Sequence, residues 1–318
     1  MDIKEYRKEI IEHLKNAPEL VNSDIFDVDI TKANDVSLNA VSIKKDKESK
    51  LGVNLYIDEY YKRNMSVEDA AKDMIRLYKE NIDNQTAGEI NSLIDTLQDF
   101  EKTKDKIIIR VFNKERNKNF VNDHPYLIFG DLVIVFYVEV TPEAVAMVTN
   151  SMLSTFGVSL QDLINVSFEN TRRLYPVVIN NMFNTLLNMT GVSEEELANH
   201  GVTEEDNKMY VVSNKNDYYG ASYLADKESL NTIYKHVKSN FFIIPSSIHE
   251  LIIVPINEMS FEDKENKKDS IENLNYMIRE VNQTTLQDSE ILSDHVYFYN
   301  GKEEKLYNDK DKAIPFIY

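Results

Sequence analysis

Apolar and polar positions recur along this chain with two different periods, and the switches between them mark out its elements. Ile3, Tyr6, Ile10, Ile11 and Leu14 fall at helical spacing, so the chain is expected to open with an amphipathic helix that ends near Asn16-Ala17-Pro18. Three stretches of period two follow, Ile25 to Thr31, Val36 to Lys44 and Val53 to Ile57, which read as an antiparallel meander. Ser66-Val67-Glu68-Asp69 has the form of a capping box and predicts a helix with Val67, Ala70, Ala71, Met74, Ile75 and Tyr78 on one side. A second helical pattern carries Ile90, Leu93, Ile94, Leu97 and Phe100.

Two strand signals, Ile107 to Phe112 and Leu132 to Val140, flank the charged stretch Asn113 to Asn122, which is expected to be helical. Val145 to Thr149 adds a further strand. Ser159 with Asp162 caps a helix through Val166, and Pro176 is placed at the first turn of a helix Val177 to Asn188. The acidic segment Ser193 to Asp206 reads as a linker. Beyond it the pattern predicts strand Met209 to Ser213, a loop with Tyr218-Tyr219-Gly220, helix Asp226 to Lys238, and a hairpin of Phe241 to Ile244 and Leu251 to Ile256. A charged loop Phe261 to Asp269, helix Ile271 to Asn282 and strand His295 to Tyr299 complete the reading. The expected class is α+β, antiparallel sheets with helices packed on one face, in two similar-sized halves, 1–150 and 151–318.

Composition narrows the function. A chain of 318 residues, 42% hydrophobic and 28% charged, has the balance of an ordinary globular protein. Its formal charge of -18 disfavours direct binding to nucleic acid, because that affinity comes from Lys and Arg releasing phosphate counterions. No cysteine is present, which removes disulfides, thiolate zinc sites and a Cys nucleophile. The charged opening Met1 to Arg7 does not suit a signal peptide, and no window offers the roughly twenty apolar residues of a membrane helix. A cytoplasmic location and no membrane partner are therefore expected. Heavy use of Lys, Asn, Ile, Asp and Tyr with no Trp suits an AT-rich bacterial or phage genome.

Two segments carry candidate chemistry. In Pro245-Ser246-Ser247-Ile248-His249-Glu250, the residues Ser247, His249 and Glu250 are candidate catalytic groups, with Ser246 as a ligand contact. Neighbours in a strand point to opposite faces, however, so Glu250 would point away from His249, and a turn capped by its serines explains the segment equally. In Glu169-Asn170-Thr171-Arg172-Arg173-Leu174-Tyr175-Pro176, the residues Asn170, Arg172 and Arg173 are candidate contacts for a carboxylate or phosphate. Arginine at a helix C-terminus also complements the helix dipole. The six histidines follow no metal-binding spacing, so a metal could be assembled only across the fold, for instance by His249, His295, Asp294 and Glu250. Neither a metal nor a cofactor is expected.

The ordered set Lys104 to Ile108, Glu169 to Pro176, Pro245 to Glu250, Glu280-Val281-Asn282 and Leu292 to Tyr297 resembles a family of uncharacterised proteins of low-GC, gut-dwelling Gram-positive bacteria, a domain of unknown function. The resemblance runs from about residue 3 to 300 and nominates positions rather than a reaction. Two functions are consistent with these features. One is a cytoplasmic binding or interaction protein with a protein or small anionic ligand as partner, with a link to mobile elements or host–phage conflict as one setting for it. The other is a hydrolase or transferase acting on an anionic small molecule at an Arg/Ser/His/Glu site.

Overall fold

The computed structural model describes residues 1–49, 52–83, 96–141, 144–199, 203, 208–256 and 264–318. It divides into two compact units, Met1–Gln98 and Asp99–Tyr318. The fold is α+β, with every strand pair antiparallel among the described residues. No helix in them is long and apolar enough to cross a membrane.

The first unit follows its hydrophobic pattern closely. Helix α1 (Ile3–Asn16) is capped by Asp2 and buries Tyr6, Ile10, Ile11 and Leu14. Strands β1 (Asp24–Thr31), β2 (Ser37–Lys44) and β3 (Gly52–Tyr56) form the expected meander in the order β1-β2-β3. Helix α2 (Ile57–Lys62) continues from β3. Ser66 caps helix α3 (Val67–Asp83), its Oγ accepting from the Asp69 N–H and donating to the Asp69 carboxylate. Ile10, Leu14, Val41, Ile43, Ile57 and Met74 are fully removed from water at the core of this unit. Each such side chain contributes about 1.5–3 kcal/mol of transfer free energy. Most of the helical pattern around Ile90 to Leu97 lies outside the described residues.

The second unit contains two sheets. Strands β4 (Ile107–Asn113), β5 (Tyr126–Phe129), β6 (Leu132–Thr141) and β7 (Ala144–Met147) form one of them, with β4 on one side of β6 and both β5 and β7 pairing with β6. The other has seven strands in the order β14-β13-β12-β10-β11-β9-β8. These are β8 (Val178–Asn181), β9 (Tyr210–Ser213), β10 (Phe241–Pro245), β11 (Leu251–Pro255), β12 (Tyr297–Asn300), β13 (Lys305–Tyr307) and β14 (Ala313–Ile314). The helices of the unit are α4 (Phe100–Thr103), α5 (Asn150–Phe156), α6 (Leu160–Leu174), α7 (Met182–Thr190), α8 (Glu194–Asn199), α9 (Lys227–Val237) and α10 (Lys264–Thr284). Ile271 and Ile278 of α10 pack on Phe242, Val296 and Phe298, which covers the seven-stranded sheet.

Several local expectations differ from what forms. Of the stretch Asn113 to Asn122, Asn113 ends β4 and the rest runs through turns rather than a helix. The Asn113 side-chain oxygen accepts from the N–H groups of Glu115 and Arg116, each at 3.0 Å, so it competes with helical bonding. The helix expected from Pro176 begins only at Met182. Ahead of it, Val178 and Ile179 pair with β9, as β-branched side chains favour, and Asn181 supplies the cap. Lys264 to Asp269, read as loop, is the first part of α10. The units also do not coincide with halves divided at residue 150. Strands β4 to β7 group with the residues that follow, because α6 is bonded directly to β4.

Candidate functional site

Strand β4 pairs with β6 along one edge only, which leaves the N–H and C=O groups of its other edge in need of partners. Helix α6 supplies partners for two of them. Its N-terminus is set by a capping box between Ser159 and Asp162, and about one turn from the other end it presents Asn170 and Thr171 to the strand. Thr171 Oγ1 accepts from the Ile109 N–H at 3.0 Å and donates to the Ser167 carbonyl at 2.7 Å. Asn170 Nδ2 donates to the carbonyls of Ile107 and Lys104, at 3.0 and 2.6 Å. Arg173 donates to the Asp105 carbonyl and to Asn170 Oδ1. Asn170 and Arg173 thus staple helix to strand. Arg172 pairs at 2.6 Å with Asp226, whose other oxygen caps α9 through Ser229.

The hairpin Ser246–Glu250 is organised by its own backbone. Ser247 Oγ accepts from the His249 N–H at 3.0 Å, and Ser246 Oγ donates to Glu250 Oε1 at 3.0 Å. The His249 ring lies against Tyr218, stacked with centroids 4.8 Å apart, and against Tyr219 at 5.2 Å. Its Nδ1 accepts from the Tyr219 N–H at 3.3 Å, and its Nε2 faces Glu290 at 3.8 Å. Burial is the main cause that lowers the His249 pKa; the charge of Arg110 adds to it, and Glu290 and Glu250 oppose it. A neutral ring with its proton on Nε2 is the form that accepts at Nδ1.

Tyr219 is held in the left-handed region, at φ 56°, where a bulky residue costs on the order of 1–3 kcal/mol. What holds it is the close approach of Gly220 to β9 and the hairpin. The Gly220 N–H donates to the His249 carbonyl at 2.8 Å. A Cβ at Gly220 would lie 2.6 Å from Ser213 Cα and 2.7 Å from the His249 oxygen, so only glycine fits.

The consequence of that strain lies on the other side of Tyr219. The Arg110 guanidinium carbon sits 3.6 Å from the Tyr219 ring centroid, 4.4 Å from Tyr137 and 5.5 Å from Tyr218. Arg110 is 6% exposed, and its Nε is buried with no hydrogen-bond acceptor. Burial pushes the Tyr137 hydroxyl up to about 12 and raises Tyr219 further still, so both phenols stay protonated and give the cation no counterion at neutral pH. Ring faces offset part of the cost of burying the charge and the Tyr137 hydroxyl oxygen accepts a hydrogen bond from the guanidinium, but the Nε–H is left without an acceptor.

Arg110 lines a cavity of about 550 Å³, together with Ile108, Val145, Thr171, Tyr175, Tyr218 and other residues of this unit. The polar groups around it are largely committed elsewhere. Asn214 Nδ2 donates to the Tyr218 carbonyl and its Oδ1 accepts from Asn216, Tyr223 donates to the Tyr175 carbonyl, and Tyr175 donates to Glu139 at 3.1 Å. Among the described lining residues Arg110 is the one charged side chain.

The two segments singled out in the sequence therefore meet this cavity by parts. Thr171 and Tyr175 line it, while Asn170, Arg172 and Arg173 are bound to other groups. His249 stands behind Tyr218 and Tyr219, and Ser246, Ser247 and Glu250 bond within the hairpin. His249 and His295 face different carboxylates, Glu290 and Asp309, and the described residues contain no group of three or more metal-type ligands. Sequence reasoning passed over Arg110, although a lone charge inside Ile107-Ile108-Ile109-Arg110-Val111-Phe112 was the available signal.

Fold and site together define an α+β protein with an arginine-floored, tyrosine-walled cavity in its larger unit. The chain belongs to the family of unknown function DUF5688, whose model matches residues 3–301. Neither the curated proteins nor the solved structures give a significant match.

Proposed function

We propose that this protein binds a small organic anion in the cavity of the unit Asp99–Tyr318, with Arg110 as the anchor. The observation that carries the reading is a guanidinium more than nine-tenths buried, caged by protonated tyrosines and with an unfilled Nε–H, at the wall of a cavity sized for a small molecule. A charged group in such surroundings costs several kcal/mol to bury, and a ligand carboxylate or phosphate meeting its fork would return that cost as binding energy. The hairpin supports binding rather than hydrolysis. Ser247 receives a backbone N–H instead of facing an imidazole, and His249 Nδ1 is engaged by Tyr219, so the pair lacks the contact that activates a serine.

The test is a thermal-shift and calorimetric screen of small organic anions against the wild type and Arg110→Met. Binding by the wild type that weakens at least about tenfold in the variant is expected, the size of one lost charge-assisted contact. Equal binding by both proteins would remove Arg110 from the site.

A further inference from the structure

We infer that the ligand is a monocarboxylate with an apolar body, not a phosphate ester; this rests on the anion-binding reading above. Three observations lead there. The first is charge. Arg110 is the one charged side chain among the described lining residues, and the chain as a whole carries -18, so a phosphate of charge near -2 would keep about one uncompensated negative charge in a half-enclosed site. A carboxylate is neutralised by a single guanidinium and matches its fork with two parallel bonds.

The second is the supply of donors. Three acceptor oxygens of a phosphate need donors from several directions, usually backbone N–H groups or further cations. Here the Ile109 N–H is taken by Thr171, the Tyr219 N–H by His249 and the Gly220 N–H by the His249 carbonyl, and the hydroxyls of Tyr175 and Tyr223 are donated to protein acceptors. The guanidinium is the one cationic donor among the described lining residues, beside the neutral amide of Asn216. The third is the remaining lining. Ile108, Ile109 and Val145 line the cavity along with the tyrosines, which suits an apolar body and rewards no further charge on it.

A panel of small monocarboxylates with aryl or alkyl bodies, together with the phosphate esters and the alcohols of the same bodies, tests this by calorimetry on the full chain; phenylacetate, benzyl phosphate and benzyl alcohol form one matched set. At least one carboxylate is expected to bind tenfold or more tighter than its phosphate and its alcohol, and to weaken tenfold or more in Arg110→Met. Arg110→Lys, which keeps the charge but loses the fork, should also weaken carboxylate binding, and an unchanged urea midpoint in either variant excludes loss of fold as the cause. Phosphates that bind as tightly as the carboxylates or tighter, and lose affinity with Arg110, would overturn the carboxylate assignment while leaving the anion site standing. Carboxylates that bind without regard to Arg110, or a panel in which no anion binds at all, would overturn both.

Discussion

Arg110 sets two energies against each other. Burying a guanidinium costs several kcal/mol, and each desolvated tyrosine face returns about 0.5–2 kcal/mol, so the cage offsets much of the cost without filling the Nε–H. Arg110→Met is therefore expected to leave the urea midpoint unchanged or raised while weakening anion binding about tenfold or more. A large drop in stability would mean that the cation–π contacts are its whole purpose. His249 gives a second outcome. Its pKa in the folded state lies below the ordinary value of about 6.5, so the unfolded chain takes up the proton first as the pH falls. The stability held by neutral His249 is present above pH about 6.5 and is lost as the pH drops through the folded value. Protonation of Nδ1 also removes the acceptor for the Tyr219 N–H. His249→Gln should show a shallower fall of urea midpoint between pH 7 and pH 5 than the wild type, measured side by side. Parallel curves would show that this ring does not carry the dependence.

The staple between α6 and β4 makes a different demand, because it satisfies backbone groups of a strand edge. Asn170→Ala leaves the carbonyls of Ile107 and Lys104 without their donor and should cost about 1–3 kcal/mol in a denaturant titration. A change below a few tenths would show that water replaces the amide there. Gly220→Ala forces a Cβ onto backbone atoms of Ser213 and His249 that cannot turn aside, and should cost about 2 kcal/mol or more together with the Tyr219 geometry. These elements also show what a sequence displays. The cap at Ser66, the capping box at Ser159 and the apolar stripe of α1 are local, within one or two turns, and each is found where its residues imply. Strand β8 was not legible, because Val178 and Ile179 become a strand only through pairing with β9, some 30 positions away. The anion cage was less so. Arg110, Tyr137, Tyr175 and the pair Tyr218-Tyr219 come from four separate elements, and no spacing connects them. The motif residues Asn170 and Arg173 were noticeable, but the carbonyls of Lys104 and Asp105 that they serve leave no mark in the sequence.

Two compact units, one of three strands with helices and one of two sheets, give the chain its organisation. All the residues of the proposed site fall within Asp99–Tyr318. That unit also takes in the last residues of the chain, where Tyr318 stacks on Phe168 with centroids 5.3 Å apart and Phe316 meets Phe129 at 5.9 Å. Residues 99–318 expressed alone are expected to unfold in one cooperative transition and to retain Arg110-dependent binding; a fragment without a cooperative transition would contradict the division at Gln98. The central claim, that the Arg110 guanidinium is an unfilled anchor for an anion, is tested most directly by the side-chain Nε–H resonance of Arg110 in nitrogen-15 NMR, assigned by its loss in Arg110→Lys. On titration with the best-binding anion this resonance should move as that of a donor entering a charge-assisted hydrogen bond. A resonance that stays fixed while the ligand saturates the protein would contradict the account.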